Sequence, residues 1–416
     1  MQLGVIADDV TGATDLASVL RRDGFSVVQT LGVPQSVTPP ADVVVVSLKT
    51  RTAPVDEATA AARAAAAYLT NAGATQIYFK YCSTFDSTDR GNIGPVIATL
   101  LEQLHATFTI ACPAYPALAR TVYQGYLFVG TQLLSESSMR DHPLTPMTDA
   151  NLVRVLGRQS PFPVGLVALD DVDASGTAMQ ERFAALQRSG HRVAIVDAVF
   201  DRHVDAIGCA CRGVSLVTGG AALGGALARA AITARIPVDP QHAPARSGPV
   251  VVLSGSGSAA TLEQVRRLAA DVPHRALDPL ALARDGAILP ALIDWAEQHV
   301  LRGPVLLYST ASPETVRNAQ RELGRSEAAA TLEHAFGGLA AALARQGVRT
   351  FVVAGGETSG AVLEALGIRM LGFGEEIDPG VPWTRSLDPE GFHLALKSGN
   401  FGSPDFFIKA LQTRTA

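Results

Sequence analysis

Short apolar runs alternate along this chain with longer Ala-rich stretches whose apolar positions recur every three or four residues. That alternation predicts β-strands joined by α-helices. Strands are expected at Leu3–Ala7, Val43–Ser47, Gln76–Lys80, Thr107–Ala111, Val164–Leu169, Val193–Val196 and Val214–Val217. Helical spacing covers Gly12–Arg22, Val55–Ala72 and Asn92–Leu104. Such alternation implies right-handed βαβ units and a mainly parallel sheet flanked by helices. The pattern stops between Ile236 and Pro249, where four prolines fall in a stretch without periodicity. This stretch reads as a linker, 236–249, between domains at 1–235 and 250–416. A second series of strands follows at Val250–Leu253, Val305–Tyr308, Thr350–Val353 and His393–Leu396. The expected fold is therefore α/β, with two domains of mainly parallel sheet. Ligands of open α/β sheets sit beyond the carboxyl ends of the strands, and the active site is expected in the cleft between the domains.

Composition narrows the class. A chain of 416 residues is long enough for two hydrophobic cores. With 47% hydrophobic and 18% charged residues it fits a compact protein. A net charge of -5 and the absence of any Lys/Arg run argue against nucleic acid as a partner. No window of apolar residues is long enough to span a membrane, and Asp8 and Asp9 interrupt the first run before it reaches export-signal length. The four cysteines, Cys82, Cys112, Cys209 and Cys211, form no C-x-x-C pair. They read as reduced thiols of a cytoplasmic protein.

Candidate chemistry lies where strands end. The first strand runs into Asp8, Asp9, Thr11 and, one turn into the helix, Asp15. Bunched carboxylates call for a cation or a hydroxyl-rich ligand; helix capping is the plainer alternative. The loop after Phe79 carries Lys80, Asp86, Ser87 and Arg90, and another strand ends in Lys49 and Arg51. These cations suit a carboxylate or phosphate, while a solvated loop with its own ion pairs is the competing reading. A long non-periodic stretch, 125–149, contains His142, a possible acid–base group or hydroxyl donor.

The last third of the chain holds three glycine-and-hydroxyl loops. They contribute Ser256 and Ser258; Gly355, Gly356, Glu357 and Thr358; and Lys397, Gly399, Asn400 and Gly402. Glycines let the backbone approach a ligand, and helix N-termini favour anions. None of the loops is a P-loop. The run Gly255–Ala260 also fits G-x-G-x-x-A, with Asp278 about twenty residues on, so a nicotinamide-dependent oxidoreductase is a rival reading.

Taken together, the segments 7–13, 80–91, 139–147, 254–258, 355–358 and 395–402 resemble those of the four-carbon acid sugar kinases. The resemblance covers nearly the whole chain. It implies an N-terminal domain for a sugar acid and a C-terminal domain for ATP with Mg²⁺. Leu48-Lys49-Thr50-Arg51 fits the branch that phosphorylates the 4-hydroxyl of 3-oxo-tetronate better than the D-threonate or D-erythronate kinases. Carried over by position, the resemblance places Asp8, Arg51, Lys80, Asp86 and Arg90 near the acid and Ser258, Gly355, Gly356, Glu357, Thr358 and Gly399 near ATP. From the residues themselves, Asp8 or Asp9 is expected to be catalytic, orienting or deprotonating the acceptor hydroxyl. Thr11, Arg51, Lys80, Asp86, Ser87, Arg90 and His142 are expected near the acid. Ser256, Ser258, Gly355, Gly356, Glu357, Thr358, Lys397, Gly399, Asn400 and Gly402 are expected near ATP. No metal ligands are assigned, and a homodimer is the expected assembly.

Overall fold

The structure is a computed structural model that describes the chain except residues 1, 36, 143, 175–176, 237–247, 310–317, 320, 388–390 and 414–416. It divides into two compact units, 1–238 and 239–416. Of the expected linker 236–249, residues 237–247 lie outside the described set.

The first unit contains β1 (Leu3–Ala7), β2 (Val27–Leu31), β3 (Val43–Ser47), β4 (Gln76–Lys80), β5 (Thr109–Cys112), β6 (Arg120–Tyr123), β7 (Tyr126–Val129), β8 (Gln132–Leu133), β9 (Val164–Val167), β10 (Val193–Val196) and β11 (Leu216–Gly219). Its helices are α1 (Val10–Arg22), α2 (Val55–Asn71), α3 (Ile93–Gln103), α4 (Leu152–Gln159), α5 (Leu169–Asp173), α6 (Ala178–Arg188), α7 (Asp201–Ala210) and α8 (Ala221–Ala231). The main sheet has the order β2-β3-β1-β4-β11-β5-β10-β9, and every pairing is parallel. Helices cover parallel sheets on both faces, so β1 and β3 are buried at every position. Helix α2 turns Ala58, Ala62, Ala65, Ala66 and Leu69 inward, one apolar stripe at helical spacing. The stretch expected to be non-periodic, 125–149, contains β7 and β8, which join β6 in a small antiparallel sheet, β6-β7-β8. The Asp197 carboxylate holds it, accepting from the N–H groups of Gln124 and Gly125 at 2.7 and 2.9 Å.

The second unit contains β12 (Val250–Ser254), β13 (His274–Ala276), β14 (Val305–Tyr308), β15 (Thr350–Ala354), β16 (Met370–Asp378), β17 (Val381–Ser386) and β18 (His393–Lys397). Among the described residues its helices are α9 (Ala259–Leu268), α10 (Pro279–Arg284), α11 (Ile288–Val300), α12 (Arg325–Arg345), α13 (Gly356–Ala365) and α14 (Phe406–Gln412). Strands β13-β14-β12-β15-β18 are parallel, and β17 and β16 continue the sheet in antiparallel fashion. Trp383 on β17 is buried with Phe406, Phe407 and Val252 in the core of this unit. The Pro379–Trp383 segment is therefore part of a packed hairpin. Among the described residues no helix is long and apolar enough to cross a membrane.

Candidate active site

In the first unit the strand order reverses direction around β1 and β4, which is where open α/β sheets bind ligands. Register brings the tips into one row, since Ala7 lies opposite both Ser47 and Lys80. The Asp8 backbone continues the row. Its N–H donates to the Lys80 carbonyl at 3.1 Å, and its own carbonyl accepts from the Thr50 and Arg51 N–H groups at 2.9 and 3.2 Å. Asn92 braces the same turn by donating to the Thr50 and Ala53 carbonyls.

This frame places Arg51 against three carboxylates. Its Nε and Nη2 grip Asp8 in a bidentate pair at 2.9 and 2.8 Å, and Nη2 also donates to Asp9 Oδ1 at 2.5 Å. Asp86 stands 3.7 Å from Nη1. Asp9 is at once the N-cap of α1, accepting from Gly12 N–H at 3.1 Å, and the acceptor of the Thr11 hydroxyl at 2.7 Å. Helix capping and the contact with Arg51 thus coexist at one residue. Burial raises the Asp8 carboxyl and is only partly offset by Arg51. Burial acts the same way on Asp9, but Arg51, Lys80, Thr11 and Gly12 outweigh it and hold that carboxyl low. Adjacent carboxylates pushed apart in this way are typical of reacting centres.

The loop after β4 turns sharply. Phe85 and Asp86 both adopt positive φ, 67° and 42°, a costly backbone for residues with side chains. Phe85 is fully buried and packs edge-on against Tyr81, which offsets the strain and aims Asp86 at Arg51. The next residues face elsewhere. Ser87 donates to Gln159 Oε1 at 3.1 Å. With Thr88, Arg90, Pro146, Met147 and Arg158 it lines a cavity of about 320 Å³. His142 Nδ1 pairs with the Thr145 hydroxyl at 2.9 Å and accepts from Thr145 N–H, bracing the loop that carries Pro146 and Met147. The expected acid-side residues therefore separate. Asp8, Asp9, Thr11, Arg51, Lys80 and Asp86 gather at the strand tips, whereas Ser87 and Arg90 border the cavity.

In the second unit all three glycine loops converge. Ser254 lies opposite Ala354, and Ala354 opposite Lys397, on adjacent parallel strands. A Cβ at Gly255 would fall 2.0 Å from Thr358 Oγ1, and one at Gly399 would fall 2.5 Å from Ser256 Oγ. Only glycine lets these turns meet so closely. Ser258 caps α9 through the Thr261 N–H and donates its hydroxyl to the Gly399 carbonyl at 2.5 Å. Thr261 Oγ1 and Lys397 Nζ donate to the same carbonyl. Gln264 Nε2 reaches the carbonyls of Phe401, Gly402 and Ser403. Asp378 anchors the loop from the other side, accepting from Ser403 and Lys409. The first turns of α9 and α13 follow the ends of β12 and β15, each with N–H groups that have no acceptor among the described residues. Lys397 is 1% exposed, and desolvation lowers its ammonium from 10.5 to about 7. Asn400 and Glu357 are exposed. Asp278 caps α10 and follows β13, which β14 separates from β12. A dinucleotide fold needs its acid on the strand beside the glycine loop, so the nicotinamide reading loses its second element.

Sequence reasoning did not single out Asn92 or Gln264. Asn92 and Gln264 act through backbone carbonyls distant in sequence, which no local motif announces.

An acid- and hydroxyl-bearing site in one α/β unit and an anion-type loop cluster in the other define a sugar kinase of two domains. Residues 3–227 match a sugar-binding N-terminal domain and residues 251–407 a nucleotide-binding C-terminal domain. The chain belongs to the four-carbon acid sugar kinase family. It is 51% identical to a 3-oxo-tetronate kinase of Cupriavidus necator over 99% of this chain and 96% of that one. It is 50% identical to one of Pseudomonas fluorescens, covering 98% and 96%. Among solved structures it is similar to one described as a putative tRNA synthase from Salmonella typhimurium, with TM-score 0.87, 43% identity and 98% of both chains covered. A Haemophilus influenzae protein follows with TM-score 0.80 and 42% identity over 99% of both chains.

Proposed function

We propose that this chain is an ATP-dependent 3-oxo-tetronate kinase that transfers a phosphoryl group to the 4-hydroxyl of the acid. The observation that carries the reading is the name shared by relatives 44–51% identical over nearly the full chain. The first unit supplies the acceptor's groups and the second the nucleotide's.

Phosphoryl transfer asks for positioning and charge neutralisation more than covalent chemistry. Asp9 is the more open of the two tip carboxylates, with 24% of its side chain exposed against 7% for Asp8. It would accept a hydrogen bond from the 4-hydroxyl and fix its direction. Asp8 would hold Arg51 in place, and Thr11 and Asp86 would complete the polar wall. Ser87 and Arg90 would border the approach to the acid side, with His142 bracing the loop opposite them. In the second unit Ser256, Ser258, Gly355, Gly356, Thr358, Gly399, Asn400 and Gly402 would present N–H and hydroxyl donors to phosphates, and Lys397 a charge. The convergent glycines, and among the described residues the N–H groups without acceptors and a buried ammonium without an acid beside it, all suit a polyphosphate. ATP supplies the transferred group. Mg²⁺ would arrive with it, since no cluster of three metal-ligating side chains exists among the described residues and Mg²⁺ favours phosphates and water. Glu357 is the carboxylate that these loops offer to it.

The test is a coupled ADP-release assay over 3-oxo-tetronate, D-threonate and D-erythronate. Turnover fastest with 3-oxo-tetronate supports the reading. Preference for D-threonate or D-erythronate reassigns the substrate within the family, and saturable NAD binding without ATP binding rules out the kinase.

A further inference from the structure

Asp86 faces Arg51 at 3.7 Å from a backbone in which two consecutive residues, Phe85 and Asp86, have positive φ. Such backbone persists only where its surroundings over-determine it. Gln159, the last residue of α4, supplies that constraint from another helix. Its Oε1 accepts from the Ser87 hydroxyl at 3.1 Å and from the Gly94 N–H at 3.1 Å, and its Nε2 donates to the Thr88 carbonyl at 2.6 Å. One amide therefore ties the loop after β4 to the first turn of α3. An amide suits the task because it presents an acceptor and a donor at one planar end. Two glycines make room for it. A Cβ at Gly91 would fall 2.0 Å from Ser87 Oγ, and one at Gly94 would fall 2.6 Å from the Gln159 Cβ. At the other end of the loop Asn92 donates to the Thr50 and Ala53 carbonyls, which flank Arg51. The contacts thus run from Gln159 through residues 86–92 to the turn that carries Arg51.

We propose that Gln159 is a positioning residue for phosphoryl transfer, and that the Ser87 hydroxyl acts through it and not on the substrate. This inference rests on the sugar-acid kinase reading. Gln159 works at one remove. It fixes the direction from which Asp86 faces Arg51, and Arg51 in turn holds Asp8 and Asp9. Without the amide, the buried Ser87 hydroxyl and the Thr88 carbonyl lose their partner, and the pair at 85–86 relaxes toward ordinary backbone. Asp86 then swings from Arg51, and the carboxylates that would orient the acceptor hydroxyl shift with it. A displacement of this kind acts on the oriented transition state, even though its cause lies away from the reacting atoms. Nucleotide affinity, which the glycine loops would set, stays as it was.

The test combines Gln159→Met, which keeps the side-chain length and removes both donor and acceptor, with Ser87→Ala and the double variant. The substrate is whichever four-carbon acid the wild type phosphorylates fastest, assayed well below each variant's Tm. In Gln159→Met kcat should fall about thirtyfold while the KM for ATP is unchanged. Ser87→Ala should lose a smaller part of kcat. The double variant should be no slower than Gln159→Met, because contacts within one network do not add. Should Gln159→Met fail to fold, Gln159→Glu, which keeps both acceptor contacts and loses the donor, takes its place with the same expected sign. A variant whose Tm falls while kcat holds assigns Gln159 to stability alone and overturns the proposal. Losses that multiply in the double variant overturn it too, since they place Ser87 on the substrate itself. If the wild type phosphorylates no four-carbon acid, the kinase reading falls and this role with it.

Discussion

Replacing Lys397 with Met should make the protein more stable and less able to bind ATP. The Lys397 ammonium donates to Thr261 Oγ1 at 2.8 Å and to the Gly399 carbonyl at 3.1 Å, both neutral acceptors. Desolvation carries it from 10.5 to about 7. At neutral pH, burying the group costs about 4 kcal/mol whether it keeps its proton or sheds it, at ~1.4 kcal/mol per tenfold. Between pH 7 and 10.5 the unfolded chain binds this proton more fully than the native state, so stability rises with pH across that window. Met fills the space of the lysine stem without the charge. Neither acceptor is orphaned, because Thr261 Oγ1 still donates to the Gly399 carbonyl at 2.7 Å and Ser258 does so at 2.5 Å. A gain of about 2–3 kcal/mol should remain, or roughly 5–10 °C in Tm. ATP affinity should meanwhile fall about 30-fold with the loss of a charged phosphate contact. Thermal scans from pH 6 to 9, with titration calorimetry for ATP, read both effects, and the stability gain should shrink toward pH 9. A lower Tm for the variant at pH 6, or unchanged ATP affinity, would refute the reasoning.

Other outcomes follow from the same geometry. Gly399→Ala puts a methyl group 2.5 Å from Ser256 Oγ, so ATP affinity should drop at least about tenfold, and adding Ser256→Gly should recover part of it in the same titration. Arg51→Gln strands the buried Asp8 carboxylate and should cost about 3 kcal/mol at pH 7. Without its counter-charge Asp8 rises further, so denaturant titrations should show that deficit narrowing as pH falls and the carboxyl takes up its proton. Asp378→Ala removes the anchor of Ser403 and Lys409 and should raise the KM for ATP while costing about 2 kcal/mol. Burial would lift the Asp378 carboxyl, but Lys409 and Ser403 hold it low. Its contribution is therefore present above the unfolded value near 3.8 and lost as pH falls through the folded one, which acid denaturation of wild type against variant will show.

What could be read in the sequence depended on whether the signal was local. Leu3–Ala7, Val43–Ser47, Gln76–Lys80, Val193–Val196 and Val305–Tyr308 form the strands expected of them to the residue, because strands buried on both faces are continuous apolar runs. Val27–Leu31 was not foreseen. Gln29 and Thr30 interrupt its run, yet both are buried, Gln29 being paired with Thr14 and the Val10 carbonyl. The β16–β17 hairpin was hidden by Gly372, Gly374 and Pro382, which read as turn residues. The expected strand at Val214–Val217 begins two residues later, because Val214 N–H closes a turn onto the Cys211 carbonyl. At the site, residue types at strand tips were legible and partnerships were not. Arg51 stood out as a cation for a substrate carboxylate, whereas the fold gives it to carboxylates 42 and 43 residues earlier.

The third glycine loop shows how the proposed anion site would do without a P-loop motif. Every backbone carbonyl from Gly399 to Ser403 except that of Asn400 is met by a side chain of α9, its cap or Lys397. Among the described residues the N–H groups of Gly399, Asn400 and Gly402 have no protein acceptor. A loop with its acceptors consumed and its donors free favours an anion through backbone dipoles alone. That polarity is written in Ser258, Thr261 and Gln264, more than 130 residues before the loop they orient. A P-loop concentrates the same preference in eight consecutive residues, so a motif detects it. Here it is spread over two strand ends and one helix, and only the parallel pairing of β12, β15 and β18 assembles it. Substitutions on the inner face of α9 should therefore act on nucleotide affinity as strongly as substitutions in the glycine loop itself.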